Sequence, residues 1–142
     1  MRNELDTIDT FLQQHHVMSL ATSSNDLLSV CNLFYVFAKE QHSFVVASAE
    51  ETTHIQDIHS NPMVAGSVVL ETQIVGKLQG VQFRGEFSTL EDKKLKKLYY
   101  KAFPYALAMN PKLWQIKINF FKMTDNKLGF GKKIIWRSAN HF

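Results

Sequence analysis

Apolar residues in this chain recur in two rhythms, and each predicts a different kind of element. Ile8, Phe11 and Leu12 fall at helical spacing, which predicts a short amphipathic helix from Asp6 to Gln14. From His16 to Thr22 apolar and polar residues alternate as in a half-buried strand. The cluster Ser23-Ser24-Asn25-Asp26 then predicts a hairpin into a strand from Leu27 to Phe37. Lys39 to His42 makes the next turn, and Phe44 to Ser48 returns, so the first three strands read as an antiparallel meander. A polar link from Glu50 onward predicts a short helix, ended at Asn61-Pro62 because a residue before proline is pushed out of helical geometry.

The second half continues in the same way. Met63 to Leu70 is almost continuously apolar, which predicts a central strand. Lys77 to Phe87 reads as another strand, with Gly76, Gly80 and Gly85 marking bends or close approaches. Leu90 to Phe103 reads as a helix with Leu90, Leu95, Leu98 and Tyr99 on its apolar face, broken at Phe103-Pro104. Trp114 to Met123 alternates again, with Trp114, Ile116, Ile118 and Phe120 expected on one face, and Ile134-Ile135-Trp136 is the last strand. About six strands with two or three helices, and no repeat or linker, predict one domain over 1–142: a mainly β fold, a small β-barrel with peripheral helices.

Composition narrows the class. The 142 residues suffice for one sizeable core, and 45% hydrophobic against 20% charged residues is a globular balance. No apolar run approaches the ~20 residues of a membrane helix. The polar start Met1-Arg2-Asn3-Glu4 lacks the apolar centre of a signal peptide, and the single Cys31 has no internal disulfide partner, so a cytoplasmic setting is expected. A net charge of +3 is mild and carries no nucleic-acid footprint. The lysines from Lys93 to Lys97 surround Leu95 and Leu98 and read as the solvated side of a helix. His54 and His59 are five apart, His15 and His16 point apart on a strand, and Cys31 stands alone, so no metal site is expected.

The stretch from Phe44 to Leu70 offers chemistry. A strand there runs through a small hydroxyl, Ser48, toward a helix opened by Thr52, Thr53 and His54. First-turn amides lack intrahelical partners and carry the positive end of the helix dipole, so such a junction suits a phosphate. The same residues also suit an ordinary helix cap with Thr at its N-cap. Gln82 and Arg84 share one face of the later strand, read either as ligand contacts or as a solvated face; Asn32 on the second strand reads either as a ligand contact or as a bend in a core aromatic strand. Lys132 and Lys133 follow Gly131 and suit a phosphate or a plain surface turn; Trp136 suits stacking on a flat ring or a place in the core.

Phe44 to Val64 resembles the phosphate-binding segment of the FMN-binding split-barrel family, the pyridoxamine 5'-phosphate oxidase-like proteins, in its strand, its Ser48 and its Asn61-Pro62. Gly80-Val81-Gln82-Phe83-Arg84-Gly85-Glu86 resembles the family's next long strand. Asp125 to Trp136 resembles the terminal element of its YhbP-like bacterial branch. The resemblance covers nearly the whole chain and implies a split β-barrel of the FMN-binding type. It also implies FMN as cofactor, a homodimer with sites at the subunit interface, and oxidoreductase chemistry on a small molecule, the flavin itself carrying the redox step. The family's basic pair falls on Thr53 and His54. The resemblance thus assigns phosphate contacts to Ser48, Thr52, Thr53, His54 and Lys133, and ring contacts to Asn32, Gln82 and Trp136; no catalytic acid, base or nucleophile stands out. Replacement of the basic pair keeps a second class open: a non-catalytic module holding haem, a deazaflavin or another planar anion, or a dimeric interaction protein.

Overall fold

The computed structural model describes residues 3–129 and 132–139. Seven strands, β1 (Val17–Ser24), β2 (Leu27–Ala38), β3 (Ser43–Ala47), β4 (Met63–Val69), β5 (Gln79–Thr89), β6 (Leu113–Asp125) and β7 (Lys133–Arg137), form one antiparallel sheet. Its order is β3-β2-β1-β4-β5-β6-β7, and β3 pairs in addition with β6, so β1 to β6 close into a barrel and β7 stays outside the ring. The meander of β1, β2 and β3 and the hairpin turn at Asn25 and Asp26 follow the sequence reading; both turn residues adopt positive φ, 52° and 65°. Six strands make the ring, and β7, expected from Ile134-Ile135-Trp136, forms the edge outside it.

Aromatic side chains fill the barrel. Phe44 is wholly buried, with the rings of Tyr35, Phe37 and Phe83 at centroid distances of 5.1, 5.0 and 4.8 Å. Helix α1 (Glu4–Gln13) lies at the open end of the β1–β2 hairpin. Its amino terminus is fixed by a capping box between Asn3 and Asp6, and it buries Leu5, Ile8, Phe11 and Leu12. The Tyr35 hydroxyl donates to the Leu12 carbonyl at 2.8 Å, and Lys39 Nζ reaches Asp6 at 2.9 Å. Helix α2 (Thr53–Ser60) lies at the turn end of the same hairpin and buries Ile55 and Ile58. There the buried Thr22 hydroxyl donates to Asp57 Oδ2 at 2.9 Å, and Ser24 and Ser60 hydroxyls meet at 2.8 Å.

The chain then departs from the expected phase. A bulge between β5 and β6 pairs Gly85 with Ile118 but Arg84 with Phe120, leaving Asn119 as the extra residue. Before it, Trp114, Ile116 and Ile118 point inward; after it, Phe121 and Met123 do. Phe120, expected beside Ile118, is therefore turned to the outer face. Gly85 makes the bulge possible: a Cβ there would stand 2.4 Å from the Lys117 carbonyl oxygen.

Other corrections are local. Strand β4 pairs on both sides, but only Val64 and Val68 are buried; its apolar run serves two faces, and Met63, Ala65 and Val69 look outward. Helix α3 (Lys93–Ala102) starts after Leu90, where Asp92 accepts from the backbone of Lys94 at 2.8 Å, and Leu98 is exposed while Leu95 and Tyr99 are buried. The break at Phe103-Pro104 also starts α4 (Pro104–Met109), since proline suits the first helical position. Leu95, Tyr99 and Leu90 pack with Val45 and Leu113 in a second apolar cluster on the outside of the ring. Among the described residues no helix is long and apolar enough to cross a membrane.

Candidate functional site

Two regions carry the polar chemistry. The first is the junction between β3 and α2. The carbonyl of Ser48 accepts from Trp114 Nε1 at 2.9 Å and its amide donates to the Lys112 carbonyl at 3.1 Å, which pins the strand end. The Ser48 hydroxyl then faces into the turn, 2.5 Å from His54 Nε2 and 3.4 Å from the Thr52 hydroxyl. Thr52 is the N-cap by backbone, but its hydroxyl donates to the Ala49 carbonyl at 2.9 Å and no side chain caps the helix. The first-turn amides of α2 are thus left for another acceptor. Burial holds the His54 imidazole below its ordinary value, against a smaller opposing pull from Asp57, so the ring is neutral at pH 7. Thr53 is exposed.

Beside this junction sits a group that the spacing of the chain does not reveal. The Glu50 carboxylate takes Lys112 Nζ and, at 3.1 Å, His59 Nε2; its pKa lies below the ordinary carboxylate value, first through the Lys112 hydrogen bond and then through His59. Lys112 Nζ also lies 4.5 Å from the centroid of the Trp114 ring. The lysine nearest the junction is therefore already engaged with a carboxylate.

The second region is the outer face of the barrel. In-register partners set Asn32 beside Ser19, Ser19 beside Ser67, Ser67 beside Gln82 and Gln82 beside Lys122, a polar row across β2, β1, β4, β5 and β6. Asn32 Oδ1 accepts from the Ser19 hydroxyl at 3.0 Å. The parallel row runs Val30, Ala21, Ala65, Arg84, Phe120 and Arg137. Small residues at its centre leave two adjoining depressions of about 510 and 610 Å³ that share Ala21, Ala65, Arg84 and Phe120. Leu28, Val30 and Phe34 stand along one flank, 80%, 72% and 58% exposed.

The assigned residues thus fall into separate groups. Ser48, Thr52 and His54 come together, with Thr53 adjoining. Asn32 and Gln82 share the outer row. Lys133 pairs with Thr124 at the far end of β6 from Leu113, so within one chain it does not meet the junction. Trp136 lies on the inner side of β7, half-buried, 5.8 Å from the Phe121 ring and 4.8 Å from that of His42. The flanking sequence at Phe130 and Gly131 lies outside the described residues. Among the described residues no group of three His, Cys, Asp or Glu is placed to hold a metal ion.

The family profile described as pyridoxamine 5'-phosphate oxidase matches residues 5–124. The chain belongs to that family. Within it, the chain is 37% identical to a UPF0306 protein of Photorhabdus laumondii over 133 residues, 92% of this chain and 93% of that one. It is 36% identical to the UPF0306 protein YhbP of Escherichia fergusonii, across 93% and 92% of the two chains. Among solved structures it resembles a haem-binding protein from Mycobacterium smegmatis (TM-score 0.78, 13% identity, 96% of this chain and 59% of that one). It also resembles an FAD-binding protein from Mesorhizobium loti (TM-score 0.67, 18% identity, 80% and 88%). These likenesses define the fold as the split barrel of the pyridoxamine 5'-phosphate oxidase-like proteins.

Proposed function

We propose that the chain is an FMN-binding protein that works as a homodimer and, with the flavin bound, as an oxidoreductase on a small molecule. The observation that carries this reading is the β3–α2 junction of a family member in which Ser48, Thr52 and His54 converge beside an uncapped helix start. The residues present suit a phosphate. The first-turn amides supply neutral donors, and the Ser48–His54 pair, which spends one proton on its own hydrogen bond, supplies one more; the Thr52 hydroxyl is committed to the Ala49 carbonyl. The seat differs from an arginine-based one in having no fixed positive charge, so it favours a ligand that gains affinity elsewhere. The outer depressions fall in the size range of small-molecule sites, and Gln82 with Ser19 and Ser67 gives the larger one a polar edge, Asn32 standing behind Ser19.

The exposed Leu28, Val30 and Phe34 support a second copy on this face, because contiguous apolar area on a soluble domain marks an interface. A two-fold pair would cover the depressions from both sides and let the exposed Lys133 of one chain serve the other, whereas Trp136 stays packed on the inner side of β7. When bound, the isoalloxazine supplies the hydride or electron chemistry. The protein's task is to hold it, exclude water and set its surroundings.

A second reading, a non-catalytic haem module, draws on one observation: His54 is a half-buried neutral imidazole, the form that ligates iron. The neighbour named as a haem-binding protein supports it. One titration separates the two. Added FMN is expected to lose fluorescence and raise the unfolding temperature of the protein. Unquenched flavin and an unmoved transition at millimolar FMN would end the flavin reading, and a Soret band on added haemin would favour the other.

A further inference from the structure

The bulge at Asn119 does more than repair the packing of β6. By turning Phe120 outward it places an aromatic ring between arginines on the two flanking strands. The Arg84 guanidinium of β5 lies 4.3 Å from the ring centroid and that of Arg137, on β7, lies 4.8 Å from it. Neither guanidinium is in a salt bridge among the described residues. Both line the depression floored by Ala21 and Ala65. Two positive groups gathered at one ring repel each other, and the ring's negative face offsets only part of that. A guanidinium lying on a ring keeps its N–H edge free, and that edge matches the two oxygens of a carboxylate or phosphate.

We propose that Arg84 and Arg137, held against Phe120, form a binding site for the oxyanion of a small carboxylate- or phosphate-bearing ligand. The site lies in the outer depressions that the flavin reading also uses, but it is argued from the arginines alone and holds or fails without the flavin. It stands on β5, β6 and β7, whereas the Ser48–His54 junction stands on β3 and α2. Phe120 acts as a positioning residue: it keeps both forks splayed over the depression rather than free in solvent. The small side chains of Ala21, Ala65 and Ser23 leave room for the body of the ligand.

The test uses the full chain without FMN, in calorimetric titrations at constant ionic strength, with pyrophosphate as a phosphate probe and benzoate as a carboxylate probe. Saturable binding of at least one is expected, and the preferred probe identifies the source of the oxyanion. Arg84→Gln and Arg137→Gln are each expected to weaken it about tenfold or more, the loss of one charge-assisted pair. Both side chains are exposed, so neither change threatens folding. Phe120→Leu, which keeps both charges, is expected to weaken binding less. Lys94→Gln, a surface lysine on α3, is expected to leave it unchanged. No saturation with either probe, or an equal loss in Lys94→Gln, would overturn the proposal. FMN quenching by Arg84→Gln separates the two sites: unaltered FMN affinity supports a distinct site, and an equal loss assigns the arginines to the cofactor and overturns it.

Discussion

Ser48 Oγ and His54 Nε2 lie 2.5 Å apart and tie the end of β3 to the first turn of α2. The contact joins a hydroxyl to an imidazole that burial keeps neutral. A base with a depressed folded pKa binds fewer protons folded than unfolded, so stability rises with pH across that gap. His54 therefore contributes stability that is fully present above its ordinary value near 6.5 and is lost as pH falls through the lower folded value. His15 is shifted in the same direction, chiefly by burial and then by His16. The expected result is a denaturation midpoint that climbs from mildly acid pH toward neutrality, and a shallower climb in His54→Asn.

Two glycines are expected to be irreplaceable and a third dispensable. A Cβ on Gly85 would meet the Lys117 carbonyl oxygen at 2.4 Å, and one on Gly66 would meet the Ser19 carbonyl oxygen at 2.6 Å, both backbone atoms. Gly85→Ala and Gly66→Ala should each cost about 2 kcal/mol or more in urea denaturation. At Gly80 the nearest atom, Val69 Cγ2, would be at an ordinary 3.5 Å. Gly80→Ala should leave stability within about 1 kcal/mol of the parent and on the favourable side, because it restricts the unfolded chain.

Thr22 is 2% exposed, and its hydroxyl donates to Asp57 on α2. Asp57→Ala leaves that buried hydroxyl without its acceptor and should cost about 1–3 kcal/mol. Thr22→Val with Asp57→Ala should cost less than the sum of the two single changes, because the orphaned group is then gone. A double-mutant cycle from equilibrium denaturation reads the difference.

Val30 is 72% exposed in the single chain and central to the apolar flank of the outer face. The parent is expected to sediment as a dimer and Val30→Glu as a monomer of similar secondary structure. Sedimentation velocity and circular dichroism together check this; a parent that sediments as a monomer would remove the homodimer.

Local order was legible in the sequence, and convergence was not. The meander of β1, β2 and β3 could be read because alternation and turn residues such as Asn25 and Asp26 act over a few neighbours. Asn61-Pro62 marked the end of α2 for the same reason. The alternation from Trp114 to Ile118 continued smoothly through Phe120, so the bulge was hidden; the doublet Phe120-Phe121 and Gly85 on the partner strand were its only trace. The junction residues lie close in the chain, so their meeting could be read from it. Glu50 and Lys112 come from distant segments, and Arg84, Phe120 and Arg137 meet only because β5, β6 and β7 pair in one register. No spacing rule within a single segment encodes that meeting.

The joint between β1 and β4 consists of three residue pairs, Ser19 with Ser67, Leu20 with Gly66 and Ala21 with Ala65, the fewest of any neighbouring strands in the ring. It runs directly beneath the depressions on the outer face. An occupant resting there, whether small molecule or second subunit, braces the shortest hinge of the cylinder. Occupancy and melting are then a single thermodynamic linkage, and the protein's heat tolerance becomes a gauge of how full that face is.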